Sequence, residues 1–265
     1  DRVTEAAIDE QMADFKDKGI GGVFVHPRPG LVTPYLSEEW VRLFRRAVDK
    51  GKELGMKVWI YDENSYPSGF AGGHVPASLP DAVRTGLRMT RLEVLPSAFA
   101  APPVAVLRSA GDGFEDITAR VGGEEFGPGE YFIFDLNPQK PSPWYGGFTY
   151  VDLMRRDVTD KFLEVTFGPY KQAFGAEFGG VVPGAFQDEA EIAPAGGRDV
   201  VSYTPALFER FRARWGYDLT LHLPSLFEER GEWMRVRHNY YQLLLELFIE
   251  GWAAPYYEFC AANNL

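Results

Sequence analysis

Residues 58–73 read VWIYDENSYPSGFAGG. Large apolar and aromatic side chains, Val58 to Tyr61, run straight into Asp62, Glu63 and Asn64, and a loop of small residues carrying Tyr66 and Phe70 comes next. The apolar run is too short for a helix and rich in β-branched and aromatic residues. It reads as a strand covered on both faces, as in parallel sheets. Its flank agrees. In residues 37–55, SEEWVRLFRRAVDKGKELG, Ser37 is an N-cap, Glu38 and Glu39 suit the positive end of the helix dipole, and Gly55 is a stop. Trp40, Leu43, Phe44, Ala47 and Val48 form the apolar stripe. Upstream, residues 4–18 predict a helix capped by Thr4, with Ala7, Ile8, Met12 and Phe15 on one face. GIGGVFVHP, residues 19–27, is a second short apolar strand, broken at Pro27. Helix, strand, helix, strand with tight connections is the grammar of parallel α/β units.

That rhythm stops at about Val75. Up to Gly147 the sequence offers strands instead: TGLRMTRLEVL, PVAVLRS, FEDITARV and EYFIFDL, separated by Ala101-Pro102-Pro103, Gly111-Asp112-Gly113 and Gly127-Pro128-Gly129. Ordinary βα connections run about 2–6 residues, so residues 75–147 are expected to be an inserted antiparallel β subdomain near the strand-end face. Residues 1–74 and 148–265 are assigned to the parallel domain. VTDKFLEVTFGPYKQAFG predicts a helix kinked at Pro169, and GGVVPGAFQDEAEI a strand whose Pro183 calls for a bulge or an edge position. Helices are expected over about 205–215, 224–229 and 232–263, with Pro255 dividing the last. Their apolar faces (Leu207, Phe208, Phe211 and Trp215; Leu243, Leu244, Leu247 and Phe248) need a sheet to cover them. No strand is read after Glu191.

Composition narrows the function. The net charge of −11 repels phosphate backbones, so no nucleic-acid partner is expected. No apolar run approaches the roughly 18 residues that span a bilayer, and no signal peptide opens the sequence, so no membrane partner is expected. Secreted, periplasmic and cytoplasmic locations all stay open. One cysteine, Cys260, excludes an internal disulfide, and the histidines, His26, His74, His222 and His238, lack zinc spacing. The 20 Phe, 13 Tyr and 6 Trp supply a large core or line a ligand cleft.

Three strands end in polar clusters: His26, Pro27 and Arg28; Asp62, Glu63 and Asn64; Gln187, Asp188, Glu189 and Glu191. Ligand sites of parallel α/β folds form at such carboxyl ends. Each residue also has a plainer reading. Asp62 can accept hydrogen bonds from the Ser65–Gly73 loop, since Asp and Ser commonly organise turns. Of two adjacent acids one usually faces the pocket, and Glu63 is taken as that one. His26 is a core histidine or a ligand contact, and Arg28 pairs with Asp62, Glu63 or a substrate. Glu189 reads as functional, because a glutamate at a strand exit is costly unless solvated or paired. Glu191 reads as solvated or paired with Arg198. The SGFAGG loop lacks the Gly-Lys-Ser/Thr of a phosphate loop, so no nucleotide cofactor is expected. Tyr66 and Phe70 suit a sugar platform.

GIGGVFVHPRPGLVTPYLSEEW, GMKVWIYDENSYPSGFAGG, GAFQDEAEI and RWGYDLTLHLPSLF together resemble the α-L-rhamnosidase-like glycoside hydrolases, family 106 and its uncharacterised relatives. The resemblance covers most of the chain except 75–147. It implies an α/β fold, a catalytic (β/α)8 TIM-type barrel in large bacterial proteins that also carry β-sandwich domains. It implies hydrolysis of glycosidic bonds in plant or microbial polysaccharides, and calcium as a cofactor. Glu189 then maps to the general acid, and the barrel place of Asp62 and Glu63 usually contacts sugar hydroxyls. The family often has Thr-Asp-Glu-Pro where this chain has Gln187-Asp188-Glu189-Ala190, which alters the flanks of the acid pair. On this reading Glu189 and Glu63 are the catalytic candidates. His26, Arg28, Tyr61, Asp62, Asn64, Tyr66 and Asp188 are the substrate-binding candidates. The strands amount to about the second to fourth of a barrel, so the remaining strands and the β-sandwich domains of the full-length protein are expected partners, and the fragment alone is expected to be inactive. The alternatives are a non-catalytic carbohydrate-binding barrel, or a metal-dependent hydrolase of another class with Asp62, Glu63 and Asp188 as oxygen ligands.

Overall fold

The computed structural model describes residues 2–194, 196, 197 and 199–265. In chain order the main elements are α1 (Glu5–Asp17), β1 (Gly22–Val25), α2 (Glu38–Leu54), β2 (Lys57–Tyr61), α3 (His74–Ser78), β3 (Thr85–Leu92), β4 (Ala105–Ala110), β5 (Gly113–Asp116), β6 (Tyr131–Pro138), α4 (Arg156–Phe174), β7 (Ala185–Phe186), β8 (Val200–Tyr203), α5 (Leu207–Trp215), α6 (Trp233–Phe248) and α7 (Ala254–Ala262). The chain divides into two compact units, one of residues 1–82, 140–191 and 250–265, the other of 83–139 and 192–249.

The first unit holds a three-stranded parallel sheet in the order β1-β2-β7. Phe24 lies beside Trp59 and Tyr61 beside Phe186 in its register. Local chemistry sets its helices. The Thr4 hydroxyl accepts the Ala7 N–H at the start of α1, and Ser37 caps α2 by accepting from Trp40. Gly55 closes α2 in the left-handed conformation, and Trp40, Leu43, Phe44, Ala47 and Val48 are buried as the stripe requires. Pro183 sits at a bulge. The Val58 and Ile60 N–H groups donate to the Val181 and Gly184 carbonyls, so this edge strand advances three residues against two on β2.

One face of the sheet is sealed. Val58, Ile60 and Asp62, two apart and so on one side, are all fully buried. The other face is aromatic and open: Phe24 is 52% exposed and Phe186 43%. These rings pack against each other and against Trp59 and Tyr61, with centroids 5.4–5.7 Å apart. The sequence reading had β1 covered on both faces. The sheet does not close into a barrel, and three strands leave this face uncovered.

The second unit is a five-stranded antiparallel sheet, β5-β4-β6-β3-β8. All four strands read between 75 and 147 are present. The fifth corrects the reading that no strand comes after Glu191. Val200–Tyr203 pairs with β3, so residues 192–249 go with this sheet and not with the parallel one. The apolar faces after Tyr203 find their cover here. Leu207, Phe211, Leu243, Leu244 and Leu247 are buried, and Tyr240 of α6 donates its hydroxyl to the Ser202 carbonyl on β8 at 2.6 Å. The last helical stretch breaks in a π-turn over Ile249–Ala253, just ahead of Pro255. Gly251 is required there, because a Cβ would stand 2.5 Å from the Leu153 carbonyl oxygen. Among the described residues no helix is long and apolar enough to cross a membrane.

Candidate active site

The carboxyl ends of β1, β2 and β7 bring several of the sequence candidates together. His26 stacks on Tyr61 with ring centroids 3.3 Å apart, and the Tyr61 hydroxyl donates to an Asp188 carboxylate oxygen. Burial, reinforced by Arg28, drives the His26 imidazole down to about 4, partly offset by Asp188, so the ring is neutral near pH 7. Arg28 is exposed, and among the described residues it pairs with neither Asp62 nor Glu63. Burial and the Asp188 hydrogen bond push the Tyr61 phenol above its ordinary range.

Asp62 and Glu63 both turn inward. Asp62 is fully buried; one carboxylate oxygen accepts the Ser68 hydroxyl at 2.6 Å and the other the Tyr256 hydroxyl at 2.8 Å. Glu63 is equally buried and accepts three backbone N–H groups, those of Asn64 at 3.0 Å, Ala71 at 2.6 Å and Gly72 at 2.5 Å. Desolvation pushes Asp62 up to about 7 and Glu63 up to about 8, against the hydrogen bonds that favour their charged forms. The expectation that Glu63 faces a pocket is not met, because the loop's own N–H groups draw its carboxylate back. Asn64 is part-buried, and Tyr66 is exposed.

Ser68 ties the exits of β2 and β7 together. Its N–H donates to the Asp188 carbonyl at 2.7 Å, and its hydroxyl oxygen accepts the Asp188 N–H at 2.8 Å while donating to Asp62. Asp188 is therefore fixed by backbone and side chain alike. The next residue, Glu189, is exposed and takes a left-handed φ of +46°. Glu191 donates its N–H to the Tyr150 hydroxyl at 3.5 Å, and Arg198, its expected partner, lies outside the described residues.

Ser68, Tyr150, Trp252 and Tyr256 were not among the sequence candidates. Tyr150 donates to the Ser68 carbonyl at 2.6 Å, and the Trp252 indole to the Gln187 side-chain oxygen at 2.7 Å. Trp252 lies in the π-turn and Tyr256 in α7, with ring centroids 5.4 Å apart, and no local sequence signal marks either as part of this site.

A calcium ion fits these residues poorly. Asp62, Glu63 and Asp188 already accept hydrogen bonds from their neighbours. Among the described residues no group of three or more His, Cys, Asp or Glu side chains is disposed to hold a metal.

No family model and no curated protein matches the chain. One solved structure resembles it, a rhamnosidase from Novosphingobium sp. PP1Y, with a TM-score of 0.64 at 13% identity. The match covers 99% of this chain and 44% of that one, so this chain spans less than half of its structural neighbour's length. At that identity the likeness is one of fold: a mixed α/β arrangement similar to that rhamnosidase.

Proposed function

We propose that this chain is the acid-bearing part of a glycoside hydrolase, with Glu189 as proton donor to the leaving glycosidic oxygen. The observation that carries the reading is the exit of β7. An exposed, non-glycine residue in the left-handed region persists only where its surroundings over-determine it. Here Ser68 and Tyr61 clamp the preceding Asp188. Glycoside hydrolysis needs a second, ionised carboxyl, about 6.5–9.5 Å away in an inverting enzyme. Glu63 is sealed inside its loop, so that partner is supplied by further strands of a longer protein.

The finer reading is an inverting α-L-rhamnosidase of the family 106 type, with the parallel strands forming part of a (β/α)8 barrel. The fold likeness to a rhamnosidase supports it. So does the open aromatic face of Phe24 and Phe186, which further barrel strands would cover. A saccharide substrate and the rest of such a protein are the partners this implies.

A second reading, saccharide binding without catalysis, draws on the burial of both Asp62 and Glu63. The deciding experiment is a hydrolysis screen of the full-length polypeptide on aryl glycosides, rhamnosides first, with wild type and Glu189→Gln side by side. Hydrolysis that falls in Glu189→Gln, and partly recovers on a substrate with a very good leaving group, supports the acid role. Near-normal hydrolysis in Glu189→Gln overturns that role, and saccharide binding with no hydrolysis selects the second reading.

A further inference from the structure

The loop after β2 is fixed far beyond what a surface connection requires. Between Ser65 and Gly73, Tyr66 is the only exposed residue. Glu63 gathers the Ala71 and Gly72 N–H groups, Asp62 holds the Ser68 hydroxyl, and Tyr150 holds the Ser68 carbonyl. Ala71 is kept at φ +49°, a conformation that is strained for a non-glycine residue. Two buried acids thus hold a loop whose one exposed side chain between Ser65 and Gly73 is Tyr66.

That side chain does not stand alone. Tyr66 is 42% exposed and Trp144 41%. Their ring centroids lie 5.3 Å apart with the planes at 79°, an aromatic corner. The Trp144 indole N–H donates to the Tyr66 carbonyl oxygen at 2.6 Å. The single polar group of the indole is therefore spent within the protein, the ring is locked, and its apolar surface is what meets solvent. The segment carrying it is seated closely on the loop, since a Cβ on Gly146 would collide with the Gly72 carbonyl oxygen. Burying such rings is favourable, so a locked pair left this open forgoes stability.

We propose that Tyr66 and Trp144 form a two-walled shelf that stacks a neutral saccharide ring. One wall takes the C–H face of the sugar, and the second sets its edge. Rigid aromatics do this with little loss of side-chain freedom, and the loop's order is already in place before binding. The net charge of −11 disfavours an anionic ligand. The choice of a saccharide rests on the glycosidase reading; the shelf's geometry does not.

The test is binding, read without catalysis. Oligosaccharides of L-rhamnose, D-galactose and D-glucose are titrated into the full-length polypeptide and followed by tryptophan fluorescence and saturation-transfer NMR. At least one should bind saturably. Trp144→Ala and Tyr66→Ala should each weaken it about tenfold or more, and Trp144→Phe, which keeps a ring but loses the N–H that locks it, should weaken it less than Trp144→Ala. Should Trp144→Ala fail to fold, Tyr66→Ala decides, because its backbone carbonyl still accepts the indole. No saturable binding by wild type to any of the sugars overturns the shelf. So does binding that is unchanged in Tyr66→Ala or in a folded Trp144→Ala, or lost as fully in Trp144→Phe as in Trp144→Ala. Hydrolysis is measured on the same samples. Its absence beside Trp144-dependent binding removes the glycosidase reading and leaves the shelf standing.

Discussion

The exits of β2 and β7 carry a similar signature, adjacent acids within three residues of a short strand's end, and they use it in opposite ways. At β2 both acids are fully buried and hold a loop; at β7 Asp188 is tied down and Glu189 stands in solvent. The difference lies in the loop that leaves each strand. After Glu63 the chain offers the N–H groups of Ala71 and Gly72, and a buried acid is tolerated where its oxygens accept such donors. Among the described residues, no comparable set of donors folds back over Glu189. An acid at a strand end is thus a functional candidate only where the adjoining loop leaves it unclaimed.

Substitutions at the two exits should therefore separate activity from stability. The largest effect is expected from Glu189→Gln, which should lower turnover about a thousandfold, within the usual range for loss of a general acid, with thermal unfolding unchanged. A drop in unfolding temperature would show that Glu189 is structural too. Glu63→Gln should do the reverse. Its amide nitrogen must face one or more N–H donors, so stability should fall by about 1–3 kcal/mol in urea titration; unchanged stability would mean that the loop holds itself. Ser68→Ala removes the side-chain half of the link between the exits and leaves the Asp188 N–H without its acceptor. A loss of about 1–2 kcal/mol is expected, and Ser68→Thr should restore part of it.

The remaining effect is a pH slope. Asp62 is raised from an ordinary 3.8 to about 7 by burial. Between those values the folded protein retains a proton that the unfolded chain has released. This contribution is full at low pH and is lost as pH rises towards about 7. Glu63, raised from 4.5 to about 8, acts in the same direction and extends the window. Asp62→Asn should flatten the lower part of the slope in urea titrations between about pH 4 and pH 7, and a slope left unchanged by Asp62→Asn would show that Asp62 is ionised throughout.

Much of the first unit could be read from the sequence because its signals are local. Thr4, Ser37 and Gly55 mark helix ends, and the buried stripe of α2 keeps to its 3.6-residue period. The inward turn of Asp62 was also open to reading, since it continues the Val58, Ile60 alternation onto the sealed face. Glu63 was not, because beyond the strand the period of two ends and its direction depends on a loop eight residues on. β8 escaped notice because a four-residue strand carries little pattern, and its pairing with β3 is set across more than a hundred residues. Trp144 and Tyr256 reach the β2 exit by tertiary packing alone.

The path of the chain between its two units has a consequence of its own. It passes from one to the other after residues 82, 139, 191 and 249, so neither unit is a continuous stretch of polypeptide. A protease that cuts at any one of these passages leaves the units joined through the other three. Excising residues 83–139 as a cassette would strip β8 of its neighbour β3. Limited proteolysis should therefore give nicked protein that migrates whole until denatured, and separate domains should not be released by a single cut.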